Sequence, residues 1–206
     1  MQKFLILGFA LALMMVPVAG HAQTATDDGE GDGESSAPAN DLSLGTTDGE
    51  NQVGTTYIKE SHGDWQVRCI RAKEGQDPCQ LYQLMVDGNG TAVAEINMFL
   101  VPESDKVAGG ATIITPLETL LTANLRMGVD SGEVKVYPFA FCRTIGCFSR
   151  IGLTDPEIAA FKRGAAARVT IVPAAAPDQK VELSASLTGF TAGWNALIAL
   201  GEEAAE

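Results

Sequence analysis

The chain has 206 residues, a formal net charge of −12 and only two histidines. This length is enough for one domain of ordinary size with extensions. Because an acidic protein repels phosphate groups, the charge argues against nucleic acid as a partner and against binding to an anionic membrane surface.

The N-terminus has the pattern of a secretory signal peptide. Lys3 provides the positive charge, residues 4–18 are almost continuously apolar, and Gly20 and Ala22 place small residues at the −3 and −1 positions of a cleavage site after Ala22. The apolar run is shorter than the roughly 20 residues that a membrane-spanning helix needs, although an uncleaved anchor is the alternative. We therefore predict a signal peptide over residues 1–22 and a periplasmic or secreted protein that has no integral membrane span after cleavage.

An acidic segment follows the predicted signal peptide. Residues 23–56 carry eight acidic side chains, no basic ones and hardly any large apolar residue. Such a segment cannot bury enough apolar surface to offset the entropy of ordering it. We predict a disordered acidic linker over residues 23–56 and a folded domain at residues 57–206. The sequence DDGEGDGE at residues 27–34 could alternatively bind calcium, but it lacks the ligand spacing of an EF-hand.

Four cysteines follow the predicted cleavage site, namely Cys69, Cys79, Cys142 and Cys147. In an oxidising compartment an even number of cysteines indicates disulfides, and four cysteines allow three pairings. We favour the two pairs that are close in sequence, Cys69 with Cys79 and Cys142 with Cys147. Metal binding and redox chemistry are alternatives, although neither pair has the spacing typical of zinc ligands or of a CxxC redox motif.

Short apolar runs broken by turn residues begin at residue 57 and predict strands. Residues 65–69 alternate apolar and polar side chains, as a half-buried strand does, and residues 79–86 and 92–101 predict its neighbours. The sequence DGNG at residues 87–90 is a strong hairpin signal. Further strands are predicted at residues 111–117, 133–143, 147–154, 167–172 and 181–188.

Two short helices complete the predicted elements. Residues 155–164 begin with the sequence DPE and end with KRG, so that charges and cap residues suit both ends of a helix. A second helix is predicted from residue 191 to about residue 200, and residues 117–125 fit either a helical turn or an extended corner. Eight to ten short strands with two short helices predict a mainly β fold, either an antiparallel β-sandwich or a partly open barrel.

A search for catalytic groups gives no enzyme signature. His62 is the one histidine after the predicted cleavage site, and no GxSxG, Walker, GxGxxG or HExxH motif accompanies it. We therefore predict a protein without catalytic, cofactor-binding or metal-binding residues. Paired carboxylates of a glycan hydrolase are the alternative, drawn from Asp64, Glu95, Glu103, Glu118 and Asp130.

The densest aromatic cluster is a candidate interaction patch. Tyr137, Phe139 and Phe141 recur at every second position of a predicted strand, and Phe148 follows in the next strand. Alternate residues of a strand share a face, so we expect these side chains to lie together, either in the core or as an exposed patch that binds a partner.

Several segments resemble the invasion associated locus B family of alphaproteobacterial envelope proteins. The sequence HGDWQVRC at residues 62–69 resembles the family's opening, and residues 138–164 resemble its second cysteine pair, strand and capped helix. The sequence SLTGFTAGWNAL at residues 186–197 resembles its closing segment. Residues 115–133 are similar to its proline–leucine corner, but the glycine and proline often found inside that corner are missing.

The resemblance implies an exported, mostly β, disulfide-bearing protein, which in pathogenic members is linked to the invasion of host cells. It supplies no catalytic residues. We expect a non-enzymatic interaction protein of the periplasm or envelope, with an unknown protein or envelope component as its partner and a role in host-cell invasion or envelope integrity. A redox or chaperone-like accessory is the alternative. Besides the cysteines, the positions that match the family are expected to be structural, and they are Gly63, Asp64, Trp65, Gly146, Gly189, Phe190 and Gly193.

Overall fold

The computed structural model describes residues 52–101 and 106–203. The predicted signal peptide and most of the predicted acidic linker lie outside the described residues. Within the described ranges the chain forms eleven strands and two α-helices, and neither helix has the length and hydropathy needed to cross a membrane.

The strands in chain order are β1 (Thr56–His62), β2 (Trp65–Ile70), β3 (Cys79–Val86), β4 (Ala92–Phe99), β5 (Gly109–Thr115), β6 (Leu125–Val129), β7 (Lys135–Tyr137), β8 (Phe139–Arg143), β9 (Gly146–Leu153), β10 (Ala166–Ile171) and β11 (Val181–Ser186). The helices are α1 (Asp155–Arg163) and α2 (Phe190–Glu203), and a short 3-10 helix spans Leu121–Ala123.

The strands form one antiparallel sheet that nearly closes into a barrel. The strand order is β7-β6-β10-β11-β3-β4-β5-β9-β8. β7 and β8 stand at opposite ends of this order, but only Pro138 separates them in the chain. Residues 135–137 pair with β6, and residues 139–143 pair with β9. The sheet therefore returns on itself through residues 135–143, and the mainly antiparallel β fold predicted from the sequence is confirmed.

One edge of β3 is shared by two strands. Residues 79–82 of β3 pair with β2, whereas Val86 pairs with Ser184 of β11. Between these points β2 turns away from β3, and β1 pairs only with β2. The side chain of Gln83 bridges the gap, because its Nε2 donates to the carbonyl oxygens of Asp64 and Ser186, both at 3.0 Å. A fork thus opens in the barrel wall.

The hydrophobic core is built from the inward faces of the strands and from one face of each helix. Trp65 and Val67 of β2 are fully buried, as the alternation in the sequence predicted. Helix α1 adds Ile158 and Phe161 to the core, and helix α2 adds several more residues, which are Phe190, Trp194 and Leu197.

Helix α1 begins with a capping box. Thr154 is the N-cap, and Glu157 accepts hydrogen bonds from its backbone N–H at 2.9 Å and from its hydroxyl at 2.7 Å. Pro156 lies in the first turn, where a missing N–H removes no helical hydrogen bond. The predicted helix is confirmed, with the cap one residue before the predicted start.

The structure adds two strands, β1 and β6, that the sequence did not predict, and it splits the predicted strand over residues 133–143. β1 pairs with one neighbour only and is mostly exposed, so its side chains do not alternate cleanly. Pro138 divides β7 from β8. Residues 52–55, which the predicted linker included, form a turn in which Gly54 N–H donates to the Arg71 carbonyl at 2.8 Å.

Candidate functional site

Two glycines of the family-like segments allow a close crossing of the backbone. Gly63 lies between β1 and β2 with φ of +56°, and Gly189 precedes α2 with φ of +86°. A Cβ at Gly63 would meet the carbonyl of Thr188, and a Cβ at Gly189 would meet the carbonyl of His62. Asp64 N–H donates to the Thr188 carbonyl at 3.1 Å. Positive φ values and this proximity suit glycine alone, so these positions shape the fold.

Trp65 connects this crossing to the core. Its ring is buried 5.2 Å from that of Phe190 in an edge-to-face arrangement, and its Nε1 donates to the Ser186 carbonyl at 2.8 Å. Gly193 lets α2 approach β3, because a Cβ there would lie 2.7 Å from Leu81. The matching positions of the two distant segments therefore meet at one corner of the fold.

The two disulfides have the predicted pairing. Cys69–Cys79 joins directly opposed residues of β2 and β3, and Cys142–Cys147 joins opposed residues of β8 and β9. Cys69 and Cys147 are buried, whereas Cys142 is exposed. Gly146 has φ of +147°, and a Cβ there would meet the backbone of β5, so glycine lets the second hairpin approach the barrel wall.

The four aromatic side chains predicted as one patch lie in two places. Tyr137 and Phe139 are half-buried and pack against the core. Phe141 is 41% exposed, and its ring stacks on that of Phe148 at a centroid distance of 4.8 Å. A β-bulge between Phe139 and Phe141 shifts the register against β9. One extra residue in a strand reverses the faces that follow it, so the common face expected for Phe139 and Phe141 is wrong.

Phe141 and Phe148 belong to a row of side chains that crosses five strands on the outside of the barrel. Each member is directly paired with the next, and we call this set the outer row: Leu84, Glu95, Ile114, Phe148 and Phe141. Leu84 is 49% exposed. A shallow groove of about 520 Å³ runs beside the row, and Ile145 at the hairpin tip, 73% exposed, lines it. The outer row is an apolar surface that contains one carboxylate.

A second groove, of about 470 Å³, opens where β2 leaves β3, and we call it the fork groove. Its lining is mostly polar and consists of Asp64, Gln66, Arg68, Tyr82, Gln83, Leu84, Val86, Ser184 and Ser186. The guanidinium carbon of Arg68 lies 3.2 Å from the centroid of the Tyr82 ring. Burial raises the pKa of Tyr82, and the nearby charge of Glu95 adds to the rise. Leu84 belongs to both the fork groove and the outer row.

A titratable cluster joins β7 to α1 beside a small cavity of about 230 Å³. Lys135 Nζ lies 2.9 Å from Glu157 Oε1, and the Tyr137 hydroxyl lies 3.4 Å from the same oxygen. Burial, with the charge of Glu157, raises the pKa of Tyr137 to about 12. Burial alone would raise the pKa of Glu157, but hydrogen bonds from Thr154 and Lys135 lower it overall. The cluster satisfies its own charges and holds the helix to the barrel.

The described residues gather no cluster of metal-ligating side chains. No group of three His, Cys, Asp or Glu side chains that could hold a metal occurs within residues 52–101 and 106–203. His62 closes β1 instead of preceding the first strand, and its Nε2 lies 2.9 Å from the Glu60 carboxylate.

Sequence reasoning missed Leu84 and Ile114 as surface residues and Arg68 as a groove residue. Leu84 and Ile114 sit in strongly apolar strands whose alternation does not reveal which face is outside. The sequence does contain one relevant pattern: Gln66 and Arg68 alternate with buried residues of β2, and this alternation predicts that both side chains lie on the outer face.

Comparison with known proteins agrees with this architecture. A sequence model of the family described as "Invasion associated locus B (IalB) protein" matches residues 65–198. Invasion protein B homologs of two Brucella abortus strains, 2308 and biovar 1 strain 9-941, are each 26% identical over 150 residues, which covers 71% of this chain and 83% of theirs. The crystal structure of invasion associated protein B from Bartonella henselae has 26% identity and a TM-score of 0.57, and the match covers 70% of this chain and 97% of that one. With most of the barrel and α2 inside the matched range, the chain belongs to the invasion associated locus B family.

Proposed function

We propose that this protein is exported to the periplasm or envelope, loses residues 1–22, and acts there by binding another envelope protein instead of by catalysis. The N-terminal pattern and the two disulfides support export, because disulfides persist in oxidising compartments. The Brucella and Bartonella relatives are named as invasion proteins, which supports a role in host-cell invasion or envelope integrity.

The outer row is the structural feature that most directly supports a protein–protein interaction. Four of the five side chains in the outer row are apolar, and three of them, Ile114, Phe148 and Phe141, are contiguous on neighbouring strands. An apolar patch on the surface of a domain is typical of a surface that meets a partner. Glu95 interrupts the row, so the complementary surface carries apolar side chains around a lysine or arginine that faces this carboxylate. The partner is therefore an envelope protein that presents an apolar segment with one basic residue.

A photoreactive phenylalanine analogue at position 141 tests the interaction in intact cells. We expect one cross-linked envelope protein, with the cross-link mapped to an apolar segment that includes a basic residue. Leu84→Glu should abolish the product, because it adds a charge at the other end of the row. The matched control places the probe at Glu182, which is exposed on β11 outside the row. Identical products from both positions, or none from position 141, would contradict the proposal.

A redox accessory is a second candidate because Cys142 is exposed at the tip of the β8–β9 hairpin. Cys147 is buried, but the exposed Cys142 makes this bond more accessible to an attacking thiolate than Cys69–Cys79, in which Cys69 is buried and Cys79 is half-buried. Selective reduction of Cys142–Cys147 by glutathione at millimolar concentration would support this candidate, and resistance of both disulfides would remove it.

A further inference from the structure

The fork groove contains two opposite charges that do not form an ion pair with each other. Asp64 and Arg68 both line it. Among residues 52–101 and 106–203, neither side chain forms an ion pair with the other or with any other charged group. Asp64 contributes to the fold through its backbone N–H and carbonyl, not through its carboxylate.

Arg68 is held in a fixed orientation. Gln66 Oε1 accepts hydrogen bonds from Arg68 Nε at 3.0 Å and from Nη2 at 2.9 Å. The guanidinium carbon also lies over the Tyr82 ring, at 3.2 Å from the centroid. Stacking and these two bonds remove much of the rotational freedom that a surface arginine loses on binding a ligand. The remaining N–H groups are able to hold a carboxylate.

The two charges line the same groove without pairing. Asp64 is exposed in the turn before β2, whereas Arg68 lies within β2. Gln66 holds the guanidinium over Tyr82, the residue that opposes Gln66 on β3, and no ion pair forms with Asp64. A small molecule with opposite charges at its two ends is therefore able to contact both groups.

We propose that the fork groove binds a small zwitterion of amino-acid or dipeptide size, with its carboxylate on Arg68 and its ammonium group on Asp64. The groove volume of about 470 Å³ lies within the range of small-molecule sites. Because the groove presents one charge of each sign, a dipolar ligand contacts both, whereas a simple anion or cation contacts one. Ser184 and Ser186 of β11 also line the groove, and serine hydroxyls are able to hydrogen-bond a peptide group.

This site uses a different surface from most of the outer row and does not depend on the proposed protein interaction. Leu84 is the one residue that both share. A ligand-binding result therefore bears on the groove alone.

Titration of the purified exported protein, followed by amide NMR shifts, tests the proposal. The probes are Ala-Ala, free alanine, acetate, and N-acetyl-Ala-Ala-amide, which lacks both charges. We expect Ala-Ala or alanine to shift amides of β2, β3 and β11 around the groove, and acetate and the blocked peptide to bind at least ten-fold more weakly. The stronger of the two zwitterions identifies the ligand size.

Variants decide whether the two charges carry the binding. Arg68→Gln and Asp64→Asn should each weaken binding of the preferred zwitterion at least five-fold while the amide spectrum remains that of the folded barrel. Arg150→Gln, which removes an exposed arginine from β9, is the matched control and should leave binding unchanged. Equal binding of the blocked peptide, unchanged binding by both groove variants, or shifts confined to another surface would overturn the proposal.

Discussion

At the scale of single residues, the glycines and aromatic side chains that match the family have structural roles. Gly63 and Gly189 let two chain segments cross, and Trp65 and Phe190 pack directly above that crossing. These residues are far apart in sequence but adjacent in space. Their role follows from backbone geometry, because each glycine has a positive φ and no room for a Cβ.

Substitution of Gly189 tests this geometry. Gly189→Ala should destabilise the protein by more than about 3 kcal/mol, because the new Cβ adds a clash with the His62 carbonyl to the strain of a positive φ. Gly90→Ala is the matched control, since Gly90 has a similar φ of +80° but open space around it, and should lose only about 1 kcal/mol. Urea unfolding measures both. Equal losses would show that the crossing is not tight.

Glu157 gives a prediction for pH. Its pKa is lowered in the folded protein from an ordinary value of 4.5, so its carboxylate stabilises the fold above that pH, and this stabilisation is lost as the pH falls through 4.5 toward the folded pKa. Glu157→Gln should be about 1 kcal/mol less stable at pH 7. Urea unfolding at a series of pH values measures the difference in unfolding free energy between the wild type and this variant, and that difference should become smaller below about pH 4.5. A difference that stays constant down to pH 3 would contradict the stabilising role of the Glu157 carboxylate.

At the scale of elements, each disulfide fastens a pair of directly opposed strands. Cys69–Cys79 ties β2 to β3 at the end of their paired stretch away from the fork, and Cys142–Cys147 ties β8 to β9 after the bulge. Each bond has one buried cysteine, Cys69 or Cys147, but only the first bond belongs to the hydrophobic core cluster, with Cys79 packed against it, whereas Cys142 is exposed. Loss of the first bond therefore affects both the chain entropy and the core.

Removing the disulfides one at a time tests that difference. Cys142→Ala with Cys147→Ala should destabilise the protein by about 2 kcal/mol, the value for a short closed loop. Cys69→Ala with Cys79→Ala should destabilise it by about 3–5 kcal/mol, because Cys69 belongs to the hydrophobic core cluster and Cys79 packs against that cluster, so their truncation adds a cavity there. Thermal and urea unfolding of the two double variants compare them directly. A larger loss for Cys142 and Cys147 would be inconsistent with the place of Cys69 in the core.

The elements that the sequence could predict are those with strong local signals. β11 alternates buried and open positions over its whole length, and α1 carries a capping box, so both were predicted nearly to the residue. The bulge in β8 was not predictable, because its cause is the pairing with β9 and not the local sequence. This single extra residue also explains why the predicted aromatic patch divides between the core and the outer row.

At the scale of the whole molecule, closure of the barrel depends on residues 135–143, which pair with β6 and then with β9. Composition and strand count predicted the fold class, but they left the choice between sandwich and barrel open, since closure depends on strand pairs distant in sequence. The outer row and the fork groove could not be predicted from the sequence either, because each consists of residues from several strands that are adjacent only in the folded sheet.

The central claim is that an exported protein of this family is oxidised into a barrel with two local disulfides. Mass spectrometry of the protein taken from fractionated cells, digested without reduction, tests it most directly. The account predicts a periplasmic or secreted protein that begins at Gln23, with Cys69 linked to Cys79 and Cys142 linked to Cys147. A cytoplasmic protein that retains Met1 and carries free thiols, or an exported one with crossed disulfides, would contradict it.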